Sequence, residues 1–114
     1  MVYAKYTTFE IGNESSKYVL KISGVSGNVS SLNAFDHNNN RKFSTFDTDN
    51  DNHSGENCSK THGSVGWWYV DCAYTNLNGV YKFRTIGDQR GEITWDIANN
   101  LDPVFVEMMF RRNI

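Results

Sequence analysis

Three aspartates stand at alternate positions, Asp47, Asp49 and Asp51, inside the run KFSTFDTDNDNHSGENC that ends at Cys58. Carboxylates at i and i+2 can both turn inward while the intervening backbone wraps a hard cation, and calcium takes several oxygens at once from carboxylates, carbonyls and water. An EF-hand loop counted from Asp47 fails, because Asn52 stands where that loop requires glycine and Cys58 where it requires a bidentate glutamate. Two other readings of the same residues stay open. An Asp/Asn-rich run is also what a solvated loop looks like, and His53 beside Asp49 and Asp51 offers one imidazole and two carboxylates to a transition metal.

The remaining reactive residues do not assemble into a catalytic pattern. His37, His53 and His62 are scattered, with no Ser-His-Asp order and no nucleophile elbow. Glycoside hydrolysis would need one acid in an apolar setting, whereas most acids here lie in polar runs. The two cysteines, Cys58 and Cys72, form no C-x-x-C pair, so zinc or thioredoxin chemistry has no support. No enzyme is expected. Trp67, Trp68 and Tyr69 precede Cys72; rings this large bury for area, although a tyrosine can also offer a ring face and a hydroxyl to a ligand.

With 114 residues the chain has room for one domain, 1–114, and 14% aromatic content implies a core built on large rings. A net charge of −2 with no basic stripe argues against a nucleic-acid partner. No apolar run approaches the roughly 20 residues that span a bilayer. The sequence opens without a charged-then-apolar stretch, so Met1 is expected to begin a fragment, a mature chain with an added start, or an unusual product. Four Asn-x-Ser sequons, at Asn13, Asn28, Asn52 and Asn57, are compatible with a secreted glycoprotein.

The elements that must position these residues read as strands and loops. Tyr3 to Ile11 is rich in strand formers, and Lys17 to Ser23 alternates Tyr18, Leu20 and Ile22 with lysines and Val19. Gly12-Asn13 and Gly24 to Gly27 punctuate them as turns. Residues 30–35 suit one serine-capped helical turn, and 37–40 an asparagine-rich loop. Residues 47–65 are expected to be irregular. Residues 80–84 and 104–110 suit further strands, Pro103 marking entry to the last.

Taken together, FSTFDTDND, GWWYVDC and AYTNLNGVY are similar to the signature of the fibrinogen-like C-terminal domain, a family that includes ficolins and tachylectin-type lectins. YAKYTTFEIG and KYVLKISGVSG resemble its paired strands, GEITW its G-I-x-W element and VEMMFRRN its final strand. The resemblance covers essentially all 114 residues but only about half of the family's domain. It implies an α+β fold, mainly antiparallel β with long irregular loops, with the calcium loop and disulfide at 47–72.

Carried over residue by residue, the resemblance implies Ca2+ held by the carboxylates of Asp49 and Asp51 and the carbonyls of His53 and Gly55, with Asp47 bracing the loop. It implies a Cys58–Cys72 disulfide, which would stabilise by about 3 kcal/mol, and a cis peptide at Asp71–Cys72. It also implies a ligand pocket beside the calcium, built from Tyr69, Asp71, Cys72, Ala73 and Tyr81 with His62 at its rim. The ligand would be a carbohydrate or acetylated group in innate recognition, or else a protein receptor, as for fibrinogen or angiopoietin-type proteins. Ala73 stands where many such lectins carry histidine. The setting would be extracellular, with oligomers forming through a coiled-coil or collagen stem upstream.

Overall fold

The computed structural model describes residues 1–80, 92–96, 103 and 105–112. Among the described residues the regular sheet is a two-stranded antiparallel hairpin of β1, Ala4–Ile11, and β2, Leu20–Gly27, in a register that pairs Ile11 with Leu20, Phe9 with Ile22 and Ala4 with Gly27. Alternation sets the buried face: Leu20 and Ile22 are buried and Lys21 and Ser23 are not.

The second strand starts three residues later than the pattern Lys17–Ser23 suggests and runs through the glycines expected to end it. The cause lies in the connection. Asn13 caps a short 3-10 turn, Glu14–Ser16, its Oδ1 accepting from Ser16 N at 3.1 Å, and Lys17 and Tyr18 then take left-handed φ of 61° and 57°. Residues in that region cannot continue a strand. At the far end Gly24 absorbs a φ of 71° within the ladder, where a Cβ would collide with the Thr7 side chain. The glycines shape β2 instead of closing it.

The expected turn at 30–35 is displaced as well. A 3-10 helix spans Ala34–Asn38, and Asn33 at its start makes no side-chain cap; Ala34 N donates to Ser31 O instead. Its inward side carries Ala34, Phe35 and Asn38, all buried. Residues 39–57 carry no helix or strand, and Asn57 then caps the four-residue helix α1, Cys58–Thr61. No such helix was anticipated in 47–65. Of the expected strand 80–84, only Val80 is described; it forms an isolated parallel bridge with Glu92. Residues 105–110, expected as a strand, have no regular structure, and Phe105, Met109 and Phe110 are largely exposed.

The core sits between the hairpin and the irregular segments. Leu20, Ile22, Phe35, Cys58, Trp67, Trp68 and Tyr69 form it, with Tyr6, Phe9, Phe43 and Trp95 packed around. Phe35 stacks on Trp67 at 5.5 Å, while Phe43 and Trp67 each meet Trp68 edge-on at 5.3 Å. Both indole N–H groups find carbonyls: Trp67 Nε1 donates to Thr75 O at 2.6 Å and Trp68 Nε1 to Tyr18 O at 2.9 Å. The second bond joins the aromatic block to the left-handed corner before β2. Among the described residues no helix is long and apolar enough to cross a membrane.

Candidate functional site

The acidic loop is held by side chains bonding to backbone. Ser44 Oγ accepts from Asn50 N at 2.9 Å, and Asn50 Nδ2 donates to Phe43 O at 3.0 Å, which closes the loop's entrance. Asp47 is engaged locally, its Oδ1 accepting from Thr45 Oγ1 at 2.6 Å. Asp49 Oδ1 accepts from Asp51 N at 3.2 Å. Asp51 spans the loop: Oδ1 accepts from His53 N at 2.9 Å and Oδ2 from Cys58 N at 2.8 Å. One carboxylate therefore ties the acidic run to the first turn of α1.

That carboxylate carries an electrostatic penalty. Burial pushes the Asp51 carboxyl above its usual range, the neighbouring Asp49 carboxylate adds to the rise, and the hydrogen bonds from Cys58 N and His53 N oppose it. Among the described residues no lysine or arginine pairs with either aspartate. Nor do the carbonyls of His53 and Gly55 accept a hydrogen bond there. Two adjacent carboxylates and two free carbonyls suit a hard cation with oxygen preference. Among the described residues no group of three or more His, Cys, Asp or Glu side chains is arranged to hold a metal ion, so a cation here would have to draw on backbone carbonyls as well as carboxylates, as calcium does.

The loop is joined to the segment after the tryptophans at several points. Cys58 and Cys72 are disulfide-bonded with Cα atoms 5.3 Å apart. Asn52 N donates to Val70 O at 2.9 Å, and Val70 N to Cys72 O at 2.7 Å. The Asp71–Cys72 peptide is cis. Asp71 projects into solvent, and Cys72 and Ala73 are half-buried against the core. The following NLNG segment closes an Asx-type turn, Asn78 N donating to Asn76 Oδ1 at 3.1 Å, and Asn76 pairs with Thr94 through two 3.0 Å backbone bonds. Gly79 allows that approach, since a Cβ there would collide with the Glu92 backbone.

Two residues expected to face a ligand stand behind the site. Tyr69 is fully buried, its hydroxyl donating to Val65 O at 2.8 Å, and burial pushes its phenol up to about 12. A ring with no exposed surface supports the wall without forming it. His62 is 9% exposed; its Nδ1 lies 3.0 Å from Cys58 O, closing the end of α1, and its ring packs 6.0 Å from Tyr69. Tyr81 lies outside the described residues. The sequence reading took the His53 imidazole only as a candidate transition-metal ligand and its carbonyl as a calcium ligand, and missed the bonds the ring makes to the backbone. Its Nδ1 accepts from Gly55 N at 3.0 Å and Glu56 N at 3.2 Å, and its Nε2 lies 3.5 Å from Asp71 Oδ1. It also missed the stack of His37 on Tyr74 at 4.5 Å, just beyond Ala73. A histidine placed a few residues from an acidic run was the available signal for the first. Nothing local signals the second, whose partners are far apart in sequence.

An irregular, side-chain-braced loop is thus stapled to an aromatic block that packs against an antiparallel hairpin. Residues 1–111 match the C-terminal globular domain of the fibrinogen beta and gamma chains, and this protein belongs to that family. It is 43% identical over 79 residues to techylectin-5A of Tachypleus tridentatus, covering 69% of this chain and 26% of that protein. The fibrinogen-like globe of human ANGPTL2 superposes with a TM-score of 0.71 at 34% identity, over 82% of this chain and 43% of that one. Lamprey fibrin D-dimer, complexed with the peptide Gly-His-Arg-Pro-amide, superposes with a TM-score of 0.67 at 25% identity, over 84% of this chain and 35% of that one. The chain spans 12–28% of the length of the first curated relatives it matches.

Proposed function

We propose that this chain is an extracellular, calcium-dependent recognition module, not an enzyme, and that it binds acetylated or carbohydrate ligands at the surface formed by Asp71, Cys72 and Ala73. The observation that carries the reading is the double attachment of that surface to the acidic loop, through the Cys58–Cys72 bond and the Asn52–Val70 hydrogen bond. Similarity to techylectin-5A supports the lectin-like ligand class. Calcium is held by the Asp49 and Asp51 carboxylates with the His53 and Gly55 carbonyls; neutralising two adjacent carboxylates fixes the loop, and the loop fixes the surface. Two carboxylates supply modest charge, so affinity falls in the range of extracellular modules, about 0.1–1 mM. A surface fixed in advance loses little freedom when a ligand arrives.

A second reading has its own support. Ala73 lacks the polar side chain that many lectins of this family place there, and a solved relative carries a peptide. In that reading the same calcium-ordered surface docks a protein or peptide. The test is retention on N-acetylated against non-acetylated resin, with calcium and with chelator. Calcium-dependent retention on the acetylated resin alone supports the lectin reading, and Ala73→His should strengthen it. If calorimetry shows calcium bound while both wild type and Ala73→His ignore the acetylated resin, the lectin reading fails and the protein-docking reading replaces it.

A further inference from the structure

His53 occupies the gap between the acidic loop and Asp71, and its two ring nitrogens have different tasks. Nδ1 receives two backbone N–H groups, from Gly55 at 3.0 Å and Glu56 at 3.2 Å. A nitrogen that accepts carries no proton, so in the neutral ring the proton sits on Nε2. Nε2 faces two carboxylates, Asp71 Oδ1 at 3.5 Å and Glu56 Oε1 at 4.0 Å, in electrostatic contact and longer than an ordinary hydrogen bond. The ring sits close against the following backbone: a Cβ on Gly55 would lie 3.4 Å from its Cε1. One side chain thus grips the backbone that follows the acidic run and reaches across to the exposed residue beside Cys72.

We infer that the His53 side chain is a positioning strut, which couples the order of the acidic loop to the placement of Asp71. The disulfide joins the same two segments, but it acts at Cys58 and Cys72 and leaves the Asp71 side chain free to rotate. His53 is the described side chain that reaches it. Ordering of residues 53–56 therefore orients Asp71, and by reciprocity whatever holds Asp71 stabilises the loop. The functional consequence rests on the calcium reading above; the tautomer and the contact do not.

Two measurements test the strut. Long-range proton–nitrogen NMR of labelled imidazole, in alkaline buffer, should show His53 protonated on Nε2, and a ring protonated on Nδ1 overturns the inference. Calcium titrations of His53→Ala and Asp71→Asn, neither of which removes a proposed calcium ligand, should each show affinity weakened by about tenfold, the size typical of groups that orient metal ligands. The double variant should be no weaker than either single one, and His53→Gln, which keeps an acceptor and a donor, should recover part of the loss. Fully additive losses, or no rescue by glutamine, overturn the coupling. Should wild type take up no calcium, the proposed function fails on its own. The same variant cycle, read as thermal stability in chelator, then decides the strut, with non-additivity upholding it and additivity overturning it.

Discussion

The hairpin and the segment from Phe43 to Asn76 hold their shapes by opposite means, and the irregular one is packed better. Eight-residue strands with a regular ladder leave Ile11 more than half exposed and fully bury only Leu20. The irregular segment completely buries Trp67, Tyr69, Cys58, Ser44, Ser59 and Thr75. Many of its backbone groups are satisfied by side chains: Ser44 takes Asn50 N, Asp51 takes His53 N and Cys58 N, and Ser59 Oγ donates to Val65 O. Buried backbone must be paired, but it need not be paired with backbone. A loop built this way has one shape because each bond needs a particular residue.

That contrast can be broken most directly in the core. Trp67→Ala should cost about 3–5 kcal/mol in urea unfolding, as deletion of a buried ring does. Ile11→Ala, in the regular strand, should stay within about 0.5 kcal/mol. If the strand variant costs as much as the tryptophan, the hairpin is the true stabilising unit and the comparison is reversed. The next largest effect belongs to the staple. Replacing both cysteines by serine should cost about 3 kcal/mol. In hydrogen exchange the loss should appear first at His53 N and Cys58 N, while ladder amides of β1 and β2 keep their relative protection. Uniform loss across both regions would show that they unfold as one.

How much of this was legible in the sequence follows the same division. The first strand was readable almost to the residue, because Tyr, Thr, Phe and Ile dominate it. The second was misplaced because periodicity cannot show that Lys17 and Tyr18 turn left-handed, a consequence of the Asn13 cap. The motif around Asp49, Asp51, Cys58 and Cys72 was legible as a family pattern, and the disulfide lies where that pattern puts it. The roles of Tyr69 and His62 were not, since the same ring suits a pocket wall and a buried support, and only packing decides. Asn38 is a further case. The asparagine-rich run 37–40 reads as a loop, yet Asn38 ends the 3-10 helix, is completely buried, and donates from Nδ2 to Trp68 O at 2.8 Å.

Two tyrosines sharpen the comparison further. Burial and the Asp36 charge push the hairpin's Tyr6 up to about 12, and burial leads the rise of Tyr69 to about 12, with the Asp51 charge adding and the Asn76 and Ser59 side chains offsetting part of it. A phenol whose folded value exceeds its unfolded value of 10.0 favours the folded state fully below pH 10.0, and that contribution disappears as pH rises through about 12. Alkaline unfolding should therefore begin between those values. Tyr6→Phe should be tolerated better than Tyr69→Phe, because the Tyr6 hydroxyl is buried without a partner whereas that of Tyr69 donates to Val65 O. Ultraviolet titration of each variant, alongside its thermal midpoint, separates the two. Equal losses would mean that the Val65 bond contributes nothing.

The smallest effect compares two asparagine caps, one in each region. Asn13 accepts from Ser16 N in the hairpin connection, where both residues lie near solvent. Asn57 accepts from Lys60 N at 3.2 Å, and its Nδ2 also donates to Phe46 O at 3.1 Å, which fastens α1 to the acidic loop. Loss of an asparagine cap to alanine costs about 0.5–2 kcal/mol. Asn13→Ala should fall at the bottom of that range and Asn57→Ala near its top, because the second removes a cap and a tether together. Asn57→Asp supplies the control: it keeps the cap acceptor but cannot donate to Phe46 O. Its loss should lie between those of wild type and alanine, by an amount that isolates the tether. If Asn57→Asp matches wild type in thermal unfolding, the Phe46 contact is dispensable, and the acidic loop is fastened to α1 by the Asp51 carboxylate on Cys58 N.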